Sequence, residues 1–287
     1  MKDKTAKVFL KYILEVAKSK YKEQRTRKYE LKEYLVSFMK ALKLVTKWEG
    51  LRSADDKYKY HWKTIYNEFN KWTKDGIFRT AFDLFLQNNY FKLNKVRNNK
   101  KITMFIDATK INNWRGREGI TMNNEYRKKN ITPITVICDE NRLPIALDTI
   151  KPNKKYNNGR QTSHHEIKGV QGALDSIPFE IPDYVKIDII GDKGYLTSDK
   201  FHIHNRTVSI IAPKRRNQKT KNTNRERKIL KRRSKIEHVF ATLKSNNRVY
   251  VRSDTKLQPY LSFVYLSMLE IYFNFIEKTK PQLFDVL

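Results

Sequence analysis

The sequence predicts an α/β protein in which a mixed sheet flanked by helices follows an all-helical region. Three observations lead there. Up to about residue 95 the apolar side chains recur at three and four, the spacing of a helix face. From Ile102 the pattern changes to short β-branched runs that stop in acidic or glycine-bearing turns. Amphipathic helical stretches then alternate with those runs and close the chain. The expected organisation is a helical region over 1–95, a linker over 96–101, an α/β domain over 102–250 and, over 251–287, a C-terminal helix packed on that domain's core.

In the helical region Leu31, Leu35, Phe38, Met39 and Leu42 form one apolar stripe. After a polar break over Gly50–Lys59, the residues Trp62, Ile65, Tyr66, Phe69 and Trp72 repeat the spacing. Asp75-Gly76 stops that helix, and Ile77, Ala81, Leu84 and Phe85 resume it. Short helices joined by tight turns, with Lys and Arg between the apolar positions, suit a helix-turn-helix-like DNA-binding unit. The same pattern also suits a small helical bundle with no ligand. The run Asn94–Lys101, basic and rich in Asn, reads as the linker.

Beyond it, a strand over Ile102–Ile106 ends in Asp107. Ile134–Cys138 and Leu143–Ile150 flank a polar turn and read as an antiparallel hairpin. Ser163–Leu174 reads as a helix that Ser163 caps. Val185–Ile190 is an apolar strand closed by Gly191, Asp192, Lys193 and Gly194. A helix over Thr197–His204, a strand over Val208–Ala212 stopped by Pro213, and helices over Glu226–Lys244 and Gln258–Lys278 complete the domain. This order accommodates an RNase H-like core.

Composition narrows the partners. Lys and Arg number 60 against 30 acidic residues, a formal charge of +30, which calls for a polyanion or an anionic surface. A membrane is the weaker choice, because the uncharged stretch Leu257–Leu269 falls short of the roughly 20 residues of a spanning helix. The N-terminus lacks a secretory apolar core, so the expected location is cytoplasmic or nucleoid-associated (nuclear or viral-factory in a eukaryotic or viral host). The single cysteine, Cys138, excludes an internal disulfide and any cysteine-cluster zinc site.

The chemistry is carried by three carboxylates. Asp107 and Asp192 each end a strand, and if those strands are neighbours the two face each other across roughly 5 Å. Carboxylates that close repel unless a cation lies between them, and oxygen-only ligands favour Mg²⁺ or Mn²⁺. Glu237 is the candidate third ligand, from a helix whose apolar face is Ile236, Val239, Phe240 and Leu243. Leu230, Arg233, Glu237 and Lys244 share a narrow stripe of that helix, so two cations flank the acid and any metal-bound phosphate. Two divalent ions about 4 Å apart activate a water or 3′-hydroxyl on one side of a phosphodiester and stabilise the leaving oxygen on the other. The bland readings are that both aspartates form turns and that Arg233 and Glu237 make an ordinary helix ion pair. Asp188 can share the face of Asp192. His165 and Glu166, with His164, open a helix, where Glu166 either reaches the site as an auxiliary acid or merely caps. His202 and His204 are assigned to the surface.

These residues resemble the DDE transposases of bacterial insertion sequences, in the broad group of the fourth and fifth types. Asp107-Ala108-Thr109 is similar to that family's first-Asp segment and Ile190-Gly191-Asp192-Lys193-Gly194-Tyr195 to its second. Arg233, Glu237 and Lys244 match the spacing around its third acid, while Leu230 stands where the family has Tyr. The resemblance covers about residues 30–255. It implies an RNase H-like catalytic domain with two Mg²⁺ (or Mn²⁺) held by Asp107, Asp192 and Glu237. It also implies cleavage at terminal inverted repeats and strand transfer into target DNA by an oligomer, expected as a homodimer on double-stranded DNA. Arg233 and Lys244, and with them Lys193 and Arg248, are then expected to contact DNA. A catalytically inactive or domesticated DNA-binding relative is the alternative.

Overall fold

The computed structural model describes residues 3–21, 28–44, 47–53, 60–94, 101–123, 129–149, 166–214 and 221–282. In chain order, helices α1 (Asp3–Lys20), α2 (Leu31–Lys43), α3 (Gly50–Ser53), α4 (Trp62–Lys74) and α5 (Ile77–Asn94) come first. Strands β1 (Lys101–Asn113), β2 (Thr121–Asn123), β3 (Lys129–Asp139) and β4 (Pro144–Thr149) follow, then the short helix α6 (Val170–Asp175). Strands β5 (Lys186–Ile190), β6 (Phe201–Ile203), β7 (Arg206–Val208) and β8 (Ile210–Ile211) lead into helices α7 (Asn224–Leu230), α8 (Ser234–Lys244), α9 (Asn247–Tyr250) and α10 (Leu257–Thr279). The chain divides into two units: Met1–Phe85 with Trp114–Glu118 and Leu243–Leu287, and Leu86–Asn113 with Gly119–Thr242.

The first unit is helical, and aromatic packing holds it. Phe38 of α2 meets Phe69 and Trp72 of α4 edge-on, each with ring centroids 5.2 Å apart. Phe69 stacks on Phe263 of α10 at 4.5 Å, and such pairs add about 0.5–1.5 kcal/mol each beyond their buried area. The Asp75-Gly76 break between α4 and α5 is a tight turn in which Gly76 takes φ +71°, a conformation that costs a side-chain-bearing residue. Tyr66 and Leu84, placed on the apolar stripes by spacing, are 38% and 39% exposed.

The C-terminal helix corrects an expectation. α10 belongs with α1, α2 and α4, not with the sheet domain. It is apolar around most of its circumference, burying Tyr260, Phe263, Leu266, Leu269, Phe273 and Ile276 alike. A helix of that kind must be enclosed, and the aromatic faces of α2, α4 and α5 enclose it: Phe82 meets Tyr265 at 5.6 Å and Phe85 meets Tyr272 at 5.2 Å. No helix among the described residues is long and apolar enough to cross a membrane.

The second unit is the mixed sheet, ordered β2-β3-β1-β5-β8, with β4 also on β3. β5 runs parallel to β1 and to β8, while β3 is antiparallel to β1 and to β4. The β3–β4 hairpin is as the sequence predicts. Its turn is built by Asp139, whose Oδ1 accepts the N–H groups of Asn141 (2.8 Å) and Leu143 (2.9 Å). The sheet centre is apolar, with Met104, Phe105 and Ile106 of β1 and Ile189 and Ile190 of β5 fully buried. This mixed sheet with helices, following a helical region, is an RNase H-like architecture.

Three local expectations change. The stretch expected as a helix over Thr197–His204 instead contains β6, which pairs antiparallel with β7. Phe201 and Ile203 are buried and His202 between them is exposed, a period of two, and His204 turns the chain at φ 50°. The helix expected over Glu226–Lys244 breaks at 231–233 into α7 and α8, so Leu230 is not on the helix of Glu237. Within the expected helix over Ser163–Leu174, Ser163 lies outside the described residues, and a 3₁₀ turn at Glu166–Gly169 precedes α6. Cys138 is buried, as expected of a structural cysteine, and burial pushes its thiol up.

Candidate active site

The site begins with the register of two strands. In the parallel pair, Phe105 of β1 stands opposite Ile190 of β5. Two residues further along each chain come Asp107 and Asp192, at the carboxyl edge where α/β sheets gather ligands. Asp107 was expected to end its strand, but β1 continues to Asn113, paired with β3 as far as Asn112↔Ile131. What stops at this level is the partner on the other edge. Asp107 therefore sits where β1 loses β5, with its side chain 16% exposed and its Oδ1 accepting the Ala108 N–H at 2.9 Å.

Gly191 fixes how the chain leaves β5. Its N–H donates to the Ile211 carbonyl at 3.1 Å, and a Cβ there would lie 2.9 Å from Tyr195 Cβ and 3.0 Å from Ile210 Cγ2. Asp192 then caps a single 3₁₀ turn, Lys193–Tyr195, with Oδ1 accepting the Gly194 N–H at 2.6 Å. Its carboxylate is half-buried, and Lys193 beside it is exposed. Tyr195 is fully buried and anchors the turn. The 3₁₀ turn opened by Glu166 packs against the turn of Lys193–Tyr195. The Glu166 side chain and the whole of His165 lie outside the described residues.

Glu237 arrives from α8, whose apolar face of Ile236, Val239, Phe240 and Leu243 is buried. Arg233, just ahead of that helix, joins two of the acids. Its Nη2 lies 3.2 Å from Glu237 Oε1, and its Nη1 lies 3.8 Å from Asp107 Oδ2. Asp107 and Glu237 are thus brought to the same guanidinium from elements 130 residues apart in number. The Glu237 carboxylate is 56% exposed and open to a ligand. Among the described residues no three His, Cys, Asp or Glu side chains gather closely enough to hold a metal ion. The cation between Asp107 and Glu237 is an arginine.

Two contacts that spacing did not reveal set the position of α8. Arg232 Nη1 pairs with the Glu140 carboxylate, and Lys235 Nζ donates to the Glu140 carbonyl at 2.6 Å. They latch the start of the helix to the β3–β4 turn. The one available signal was Glu140 in a short polar turn, with nothing in sequence to name its partners.

Asp188, which can share the face of Asp192 by sequence, serves a different purpose. It lies at the Thr103 level of the sheet, 5% exposed, with Lys101 Nζ at 2.6 Å and Arg225 Nη2 at 3.0 Å. Burial pushes its carboxyl up, but Lys101 and Arg225 outweigh burial and hold it below the usual range. His202 and His204 are exposed, and His204 Nε2 bonds the Phe179 carbonyl at 3.1 Å, in keeping with a surface role.

The remaining basic residues differ in setting. Lys244 closes α8 half-buried, and burial pulls its ammonium pKa down. Arg248, expected to contact DNA, is only 3% exposed. Its guanidinium lies over the rings of Trp48 (5.5 Å) and Phe263 (5.6 Å), and Nη1 donates to Ser253 Oγ at 2.7 Å. It is a wall residue of the helical unit.

A family model described as transposase DDE domain matches residues 98–266, more than half of the chain. The match spans both aspartates, Arg233, Glu237 and Lys244. No curated protein and no solved structure matches the chain.

Proposed function

The chain belongs to the transposase DDE-domain family, and on that footing we propose that it is a DNA transposase whose active carboxylates are Asp107, Asp192 and Glu237. The family moves DNA elements and generally uses divalent metal ions. The observations that support the assignment to these residues are the level register of β1 and β5, which brings Asp107 and Asp192 to one sheet edge, and the Arg233 guanidinium that stands between Asp107 and Glu237. The donor set is acidic and all oxygen, the chemistry that fits Mg²⁺ or Mn²⁺, and these three residues would hold it once drawn closer together than they stand here. When bound, two such ions supply an activated water or 3′-hydroxyl and stabilise the leaving oxygen.

The chain's own residues do the rest. Asp192 is oriented by the Gly194 N–H and Asp107 by the Ala108 N–H. Arg233, planar and permanently charged, is suited to a phosphate. It holds Asp107 and Glu237 together until a phosphodiester competes for its guanidinium. Lys193 and Lys244 add cations for the strand, and the helical unit supplies the affinity for terminal inverted repeats. Cleavage at the element's ends is followed by attack of the freed 3′-hydroxyl on target DNA, in a homodimer on DNA.

The test uses DNA carrying the inverted repeats that flank the reading frame. Asp107→Asn and Glu237→Gln lower Mg²⁺-dependent strand cleavage by about a thousandfold or more while the footprint persists. Cleavage at the wild-type rate in either variant rejects the site, and a footprint with no nicking by the unaltered protein rejects the enzyme in favour of a DNA-binding relic. Arg233→Ala makes the salt dependence of binding shallower by about one counterion.

A further inference from the structure

The helical unit carries an open cavity of about 1210 Å³, every lining residue of which belongs to that unit. Ordinary ligand clefts measure about 300–1,000 Å³, so the space admits a base, a sugar and a phosphate together. Its walls carry Trp48, Trp62, Tyr66 and Trp114, three of them among the four tryptophans of the chain. Trp114 is 70% exposed, and the Tyr66 ring meets Trp48 at 5.5 Å. The segment bearing Trp114 is tied down, its N–H donating to the Arg252 carbonyl and that of Arg117 to the Thr255 carbonyl, both at 2.9 Å. Aromatic faces are therefore presented to an open space by a fixed backbone.

The lining is also cationic. Lys47, Lys74, Arg115, Arg248 and Lys256 stand against the two acids Glu49 and Asp254. Arg248 is the most informative. It is only 3% exposed, yet its Nε and Nη2 have no acceptor among the described residues. Buried guanidinium donors are ordinarily all satisfied. Asp254 Oδ2 is likewise buried without a donor; its charge acts on Arg248, but it leaves Nε and Nη2 without a hydrogen bond. An anion entering the cavity would supply one.

We propose that this cavity is a nucleotide site, taking one nucleobase stacked on the indoles and its phosphate beside Arg248 and the surrounding lysines. Aromatic platforms next to cations are how unpaired nucleotides are held. A base inside a duplex has no face to offer. A free nucleoside phosphate and an unpaired nucleotide of a DNA strand present the same chemistry, and the experiment separates them. The site is built from residues other than the carboxylates, and its test does not involve cleavage.

The full-length protein is titrated with deoxyadenosine monophosphate, with a single-stranded oligonucleotide and with the blunt duplex of the same sequence, following tryptophan fluorescence. Saturable quenching by the mononucleotide identifies the free nucleotide as a sufficient ligand, and quenching by the single strand alone identifies the strand. Trp114→Ala and Lys256→Ala, both at exposed positions, weaken that binding about tenfold or more with the melting temperature unchanged. The proposal is overturned if neither probe gives a saturable quench, if the blunt duplex quenches as tightly as the single strand, or if both variants bind as the wild type does. Such a result alongside intact Mg²⁺-dependent cleavage removes the cavity's role and leaves the transposase reading standing.

Discussion

β5 and the turn that follows it carry aspartates only four residues apart, Asp188 and Asp192, and the fold treats them in opposite ways. At the first, the carboxylate is buried and closed off by Lys101 and Arg225. At the second, it is half-exposed, with one oxygen fixed by a backbone N–H. A satisfied, buried acid contributes to stability and is shut to ligands, whereas an oriented, open acid is available for chemistry. The contrast teaches that residue type and place near a strand do not decide an aspartate's setting; what does is whether buried ion pairs close it off, as Lys101 and Arg225 do at Asp188, or the turn leaves it half-exposed, as at Asp192.

The largest test of that contrast is a pair of substitutions. Asp192→Asn lowers cleavage by about a thousandfold or more and leaves the melting temperature within a degree or so. Asp188→Asn does the reverse. It removes the charge that Lys101 and Arg225 share and costs about 1–3 kcal/mol, less than a fully buried pair because both cations are partly solvated. Cleavage at a permissive temperature survives. Matching losses of activity and stability in the two variants would erase the distinction.

A second substitution works on the residue that links the end of β5 to the Asp192 turn. Gly191→Ala brings a methyl group against Tyr195 and Ile210 and costs about 1–3 kcal/mol. It also shifts the turn that aims Asp192, so cleavage falls further than Asp188→Asn at equal stability. Equal cleavage at equal stability would show that the turn does not orient the acid.

The smallest effect comes from pH and a third aspartate. Burial pushes Asp139 up to about 7, against the lowering effect of the Leu143 and Asn141 N–H groups. Because its folded value is raised above the ordinary 3.8, its contribution to stability is full below that value and is lost as pH rises toward 7. Asp188, held below the ordinary value, has the opposite sign and loses its contribution as acid protonates it. Melting temperature followed from pH 3 to 8 should therefore lose its neutral limb in Asp139→Asn and its acid limb in Asp188→Asn. An unchanged profile in both would remove these groups as its source.

Much of this was legible residue by residue. Gly191 and Gly194 around Asp192, the β-branched run before them and the i, i+4 pair Arg233 and Glu237 gave the strand end and the ion pair. The β3–β4 hairpin was plain from Asp139–Arg142 between two apolar runs. The stretch Thr197–His204 misled because three residues of alternation are too few to outweigh helical spacing, and only the pairing with β7 makes them a strand. The break at 231–233 was hidden because Lys and Arg are good helix formers, and it is the hold of Arg232 and Lys235 on Glu140 that accompanies the turn.

By itself the sequence determined which segments are helix or strand over most of the chain, which acids end the strands, and the family to which the pattern belongs. Periodicity sufficed because it records which face of an element avoids water. The tertiary structure alone decided that β1 and β5 are neighbours in level register, that Arg233 bridges Asp107 and Glu237, that α10 packs among the N-terminal helices, and that Arg248 faces a cavity. Those facts depend on what covers an apolar face and which charge stands opposite, and the partners lie tens to hundreds of residues away, beyond the reach of any local pattern.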